Sequence, residues 1–147
     1  MAGALPLSAP TDSRIIRPMT QGLILFAHGA RDPAWAAPFE AIGTLVRARQ
    51  PSLQVRLAFL ELMRPSLPEA AAELIAAGCR QVDIRPMFLG TGGHVRRDLP
   101  LLLDELRRIH AGVAFTLHEA IGEHRGVHAA MADAIVGGLG GPAGGPP

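Results

Sequence analysis

The sequence predicts an α/β domain of the three-layer type, a four-stranded parallel sheet with helices on both faces. Three observations carry that expectation. Short apolar runs of strand length alternate with helical apolar spacing four times along the chain. The first of these runs is continuously apolar, as in sheets buried on both sides. Strand–helix alternation of this kind requires crossovers, and right-handed crossovers place the strands parallel and the helices on either face.

Gly22 to Ala27 is an unbroken apolar run that ends at His28-Gly29 and reads as the first strand. Asp32 then supplies a helix cap and Pro33 a first helical position. From Ala34 to Arg49 the residues Phe39, Ile42, Leu45 and Val46 recur at helical spacing, and Pro51 stops that helix. Leu53 to Leu60 reads as the second strand. Ser66 to Ala77 is rich in Ala, Glu and Leu and ends at Gly78, a C-terminal cap. Gln81 to Leu89 alternates as a third strand, with Pro86 late in it. The turn Gly90 to Gly93 leads to His94 and a helix from about Asp98 to Ile109. Val113 to His118 is the fourth strand and His124 to Val136 the last helix. Residues 1–20 lack an apolar period and read as a flexible leader. Residues 137–147, almost all Gly, Pro and Ala, read as a disordered tail, which leaves 21–136 as the folded domain.

Composition narrows the chemistry. The 147 residues suffice for one domain, and 48% hydrophobic against 18% charged residues fits a packed core. A net charge of +1 speaks against a broad nucleic-acid surface. All 14 basic residues are Arg, which excludes Schiff-base and Walker-A mechanisms because both need a Lys amine. One cysteine, Cys79, allows no internal disulfide. No apolar run is long enough to span a membrane, and the N-terminus carries no secretory pattern. A cytoplasmic domain is expected. None of the four serines lies in a nucleophile elbow, and Cys79, just after the helix cap, falls at the opposite edge of the sheet from His28.

Those polar residues cluster after strand ends, where ligands bind in open parallel sheets. His28 follows the first strand, Glu61 the second and His94 the third, while His118 and Glu119 close the fourth. Three imidazoles and two carboxylates on one rim suit a borderline divalent metal such as cobalt, nickel, iron or zinc. His28 and His94 stand beside glycines, Gly29 and the pair Gly92-Gly93, which let a ligand approach the backbone. Elsewhere a histidine more often bonds a carbonyl or faces solvent: His110 reads as a partner of a helix end, and His124 and His128 as solvated surface groups. Arg31, Arg96 and Arg97 fall in the same rim loops, with Arg64 after Glu61, and the Arg fork suits a polyanionic ligand. Pairing of Arg96 and Arg97 with Asp98 or Asp104 is the alternative. The Gly90–Gly93 turn resembles a phosphate-binding loop but lacks the full fingerprint and opens no immediate helix in this reading.

Several segments together resemble the CbiX-type sirohydrochlorin chelatases: Ala27 to Pro33, Ala58 to Glu61 with Pro65, Pro86 to Val95 with Asp98 to Pro100, and Glu119 to Gly122. The resemblance spans about residues 21–136. It implies a chelatase-like sheet in the order 2-1-3-4, with His28 and His94 as the two active-site histidines facing one another. It also implies insertion of cobalt, nickel or ferrous iron into sirohydrochlorin, for cobalamin, a nickel tetrapyrrole or sirohaem, with the metal as substrate and no nucleotide. Neutral imidazole can both hold a metal and accept the pyrrole protons near pH 7. Glu61, His118 and Glu119 are further candidate ligands, and Arg31, Arg96, Arg97, Gly92 and Gly93 candidate contacts to the tetrapyrrole. Because longer relatives carry two lobes, this single lobe is expected to pair as a homodimer, with Trp35 and Phe39 as candidate contacts. A non-catalytic metal or tetrapyrrole carrier on the same fold is the competing expectation.

Overall fold

A computed structural model describes residues 20–90 and 92–141. Most of the expected leader, the last six residues of the expected tail, and Thr91 in the glycine turn lie outside them. The sheet contains β1 (Thr20–Ala27), β2 (Gln54–Phe59), β3 (Cys79–Pro86) and β4 (Ala114–Leu117) in the order β2-β1-β3-β4, all parallel. The helices are α1 (Ala37–Arg49), α2 (Leu67–Ala76), α3 (Gly93–Ile109) and α4 (Arg125–Gly138). The expected fold class and strand order are both present.

Alternation in β1 divides the interior. Ile24 and Phe26 point to the face covered by α2 and α3, where they join Val82, Ile84, Leu74, Leu99 and Leu106 in the main core. Ala27 packs on the α1 side with Ala36 and Phe59, under Trp35 and Phe39. The Trp35 and Phe39 rings lie 4.7 Å apart, so these candidate dimer contacts pack against each other. Among the described residues no helix is long and apolar enough to cross a membrane.

Local signals explain most boundaries. The Asp32 carboxylate accepts the Ala34 N–H, and Pro33 opens a short 3₁₀ turn that precedes α1. The Ser66 hydroxyl accepts the Glu69 N–H at the start of α2. The Arg64 guanidinium, aided by that hydroxyl, holds the exposed Glu69 carboxyl below its usual range. This stabilisation is present above the ordinary carboxylate pKa and fades as acid protonates Glu69. Ser66→Ala should therefore lower unfolding stability by about 1 kcal/mol in a urea titration.

Several boundaries differ from expectation, and β3 runs from Cys79 to Pro86 in place of Gln81 to Leu89. The third helix begins at Gly93, five residues early, with Arg96 N–H donating to Gly92 O. Pro100 argues for a later start because proline favours the first turn. Here it is exposed and tolerated inside the helix. The glycine turn therefore does open a helix. β1 begins two residues early, at Thr20, and α4 runs through Gly137 and Gly138 into the expected tail.

Candidate functional site

β1 lies between β2 and β3, so the chain reverses its direction of travel across the sheet at the carboxyl ends of β1 and β3. His28 is the first residue beyond β1. Backbone pairing continues past the strands, with Leu60 N–H donating to Ala27 O and Glu61 N–H donating to His28 O. Gly29 makes this possible. Its φ is +96°, and a Cβ there would lie 1.9 Å from the Glu61 carbonyl oxygen. The side chains consequently meet: His28 Nε2 lies 3.1 Å from Glu61 Oε1, with both residues about half exposed. Leu62 follows in a left-handed conformation at φ 64°, a strained position in the same loop.

His94 sits in the first turn of α3, beyond β3. It lines a recess of about 440 Å³ with Phe26, Leu60, Val95, Asp98 and Leu101. Leu60 joins the two halves of the rim, because its neighbour Glu61 holds His28. The Phe88 ring lies 6.5 Å from the His28 ring and connects the β3 end to the same corner. A Cβ at Gly92 would meet nothing within 4 Å, so no packing demand accounts for that glycine, and the backbone before His94 lies open.

Arg31 is exposed in the His28 loop. Arg97 donates to the Gly93 carbonyl, and Arg96 approaches Glu123 at 3.8 Å. Asp104 pairs with Arg107, so the alternative partners expected for Arg96 and Arg97 are not the ones found. Arg64 is turned toward Glu69 on α2, away from rim duty.

The fourth strand end is organised differently. His118 Nε2 lies 2.7 Å from Asp83 Oδ1, and Gln21 Nε2 donates to the other Asp83 oxygen. This chain of side chains crosses the α1 face of the sheet. Glu119 borders a separate recess with Arg96 and Glu123. Among the described residues, no three His, Cys, Asp or Glu side chains form a group able to hold a metal ion. Of the five expected ligands, the structure brings only His28 and Glu61 into direct contact. Asp83 and Gln21 were missed; an aspartate between the apolar Val82 and Ile84 of a strand was the available signal.

The remaining histidines are structural. His110 caps α3, its ring tilted against that of Phe115 at 6.2 Å. His124 and His128 are not merely solvated: His124 Nδ1 accepts the Gly126 N–H, and His128 bonds the Gly122 carbonyl, so both hold the start of α4. Cys79 is the first residue of β3 and fully buried, and burial pushes its thiol pKa up. It should resist thiol reagents in the folded protein and react only after denaturation.

The model of the CbiX family matches residues 22–136. The chain belongs to the CbiX family. This CbiX chain is similar to a CbiX protein assigned to cobalamin (vitamin B12) biosynthesis in Marinobacter aquaeolei, with 30% identity and a TM-score of 0.70 over 80% of this chain and 95% of that one. It is 34% identical to the sirohydrochlorin cobaltochelatase of Methanothermobacter thermautotrophicus over 82 residues, 56% of this chain and 57% of that one. The CbiX chain thus spans little more than half the length of that curated relative. It shares its fold, at 19% identity and a TM-score of 0.70, with the sirohydrochlorin chelatase SirB of Bacillus subtilis subspecies spizizenii solved with cobalt, matching 81% of this chain and 51% of that one.

Proposed function

We propose that this CbiX-family chain inserts a divalent metal into a sirohydrochlorin-type tetrapyrrole, with cobalt the first choice and nickel or ferrous iron the others. The observation that carries the reading is the His28–Glu61 contact at the carboxyl ends of β1 and its edge neighbour β2, beside the recess that holds His94. In this reading His28 and His94 hold the incoming ion and accept the two pyrrole protons, while Glu61 orients the His28 ring and carries protons to solvent. Arg31, Arg96 and Arg97 meet the peripheral carboxylates, and Gly92 and Gly93 let the macrocycle approach the backbone. His118 and Glu119 lie outside this first set. The reaction uses no nucleotide, takes place in the cytoplasm, and serves cobalamin or sirohaem synthesis.

The working unit is a homodimer. A tetrapyrrole is large and flat, and one rim covers one face, whereas ligand sites usually bury most of a ligand's surface. Mixing the protein with sirohydrochlorin and Co²⁺ should accelerate the absorption change of the tetrapyrrole above the spontaneous rate. Tight binding without acceleration would identify a carrier in place of an enzyme. No acceleration with cobalt, nickel or iron would overturn the reading.

A further inference from the structure

Among the described residues Leu62 is the only non-glycine with a positive φ, at 64°. A bulky L side chain is crowded there by its own backbone. Met63 N–H donates to Glu61 O at 2.8 Å, which closes a γ-turn of the rare, strained kind on Leu62. Backbone bonds on both sides hold that turn in place. Glu61 N–H donates to His28 O, and Phe59 N–H donates to Pro65 O across the base of the loop. The acceptor of the turn is the same Glu61 carbonyl that fills the space left open by Gly29.

Packing does not account for the leucine. It is 61% exposed and joins neither core cluster. Glycine or asparagine would adopt the same φ with less strain. An exposed apolar side chain in a strained turn therefore works against the fold, and such positions concentrate where a site uses them. Other leucines are bare at the same edge of the sheet. Leu60, Leu89 and Leu101 are exposed, and Leu60 and Leu101 line the recess of His94. Glu61, between Leu60 and Leu62, contacts His28. Apolar side chains thus stand beside both histidines, with Arg31, Arg96 and Arg97 on the neighbouring loop and helix turn. That pattern complements a flat ligand with an apolar face and an anionic edge.

We infer that Leu62 is a substrate-positioning residue, held out by its strained turn against the flat face of the tetrapyrrole beside His28. Leu60 and Leu101 seat the same face near His94. The inference rests on the metal-insertion reading above and adds the apolar half of its binding surface. An apolar contact with the macrocycle face is made equally before the metal enters and while it enters. It is uniform binding, so its loss raises KM and leaves kcat alone.

The test compares Leu62→Gly, Leu62→Asn and Leu62→Met in the full-length chain. Glycine and asparagine relieve the strain and remove the apolar group, whereas methionine keeps one. The Gly and Asn variants should unfold at the same urea concentration as the parent or a higher one. Their KM for sirohydrochlorin in cobalt insertion, and their Kd for metal-free sirohydrochlorin, should rise roughly tenfold, the scale of burying one leucine side chain. Their kcat should be unchanged, and Leu62→Met should bind as the parent does. Leu45→Ala, at an exposed leucine of α1, is the control and should leave KM unchanged. A lower urea midpoint in Leu62→Asn would reveal a packing leucine and overturn the inference. So would unchanged KM and Kd, a loss confined to kcat, or a halved mass by light scattering, which would assign the side chain to contact between copies. A parent that neither binds nor metallates sirohydrochlorin would overturn both proposals. A parent that does both, beside unchanged variants, would overturn this one alone.

Discussion

His28→Ala is expected to slow metal insertion by roughly 100-fold or more, the scale on which a positioned acid–base group acts, and to leave the fold as it is. The second half follows from position. His28 lies outside the strands, about half exposed, and its ring closes no buried contact. Its backbone carbonyl, which receives the Glu61 N–H, survives the substitution. Unfolding stability should therefore stay within about 0.5 kcal/mol of the parent. His94→Ala, in the exposed first turn of α3, should behave alike. His110→Ala is the control, since His110 caps the far end of α3. Initial rates of the cobalt-dependent absorption change, beside urea unfolding curves, check all three. Full activity in His28→Ala would show that the rim assignment is wrong.

The Gly29→Ala variant should show the largest loss of stability, about 3 kcal/mol or more, together with loss of insertion. Two effects combine there. Alanine is strained at φ +96°, and its Cβ would lie 1.9 Å from a backbone oxygen that cannot move without unzipping the His28–Glu61 loop pair. The fold contains its own comparison. Gly78 has the same φ, +96°, with nothing within 4 Å of its would-be Cβ. Gly78→Ala should therefore cost only the backbone strain, about 1 kcal/mol, with insertion unchanged. Paired urea midpoints separate strain from clash. Equal losses at the two positions would mean that the contact with Glu61 relaxes freely.

The sheet was legible because its signals are local. The run from Gly22 to Ala27 declares β1 by itself, and Asp32-Pro33 and Ser66 mark helix entries by side-chain chemistry. Strand order was not local and came with the family resemblance. The start of α3 was misplaced because glycines and Pro100 both argue against helix, whereas the packing of Val95 against the main core favours it. His28 and Glu61 were readable since each follows a strand. The Gln21–Asp83–His118 chain was not, because it depends on the lateral register of three strands: Gln21 pairs with Gln81 and Asp83 with Thr116. The bareness of α4 was equally hidden. Its apolar spacing is that of any core helix, yet none of its residues is buried.

The central place of β1 also fixes the order in which the chain can become protected from solvent hydrogen exchange. β1 is hydrogen-bonded on one side to β2 and on the other to β3, whose partner Pro86 lies 60 positions beyond Phe26. No pair in this sheet is a hairpin, so every strand pairing must wait for a crossover helix to be laid down. During synthesis β1 emerges first and acquires its second neighbour only when residue 86 has appeared. The amides of Ile24 and Phe26, paired on both edges and anchored by side chains buried in the main core, are thus expected to open only with global unfolding. Those of the four-residue edge strand β4 are expected to open through local excursions, long before the centre yields.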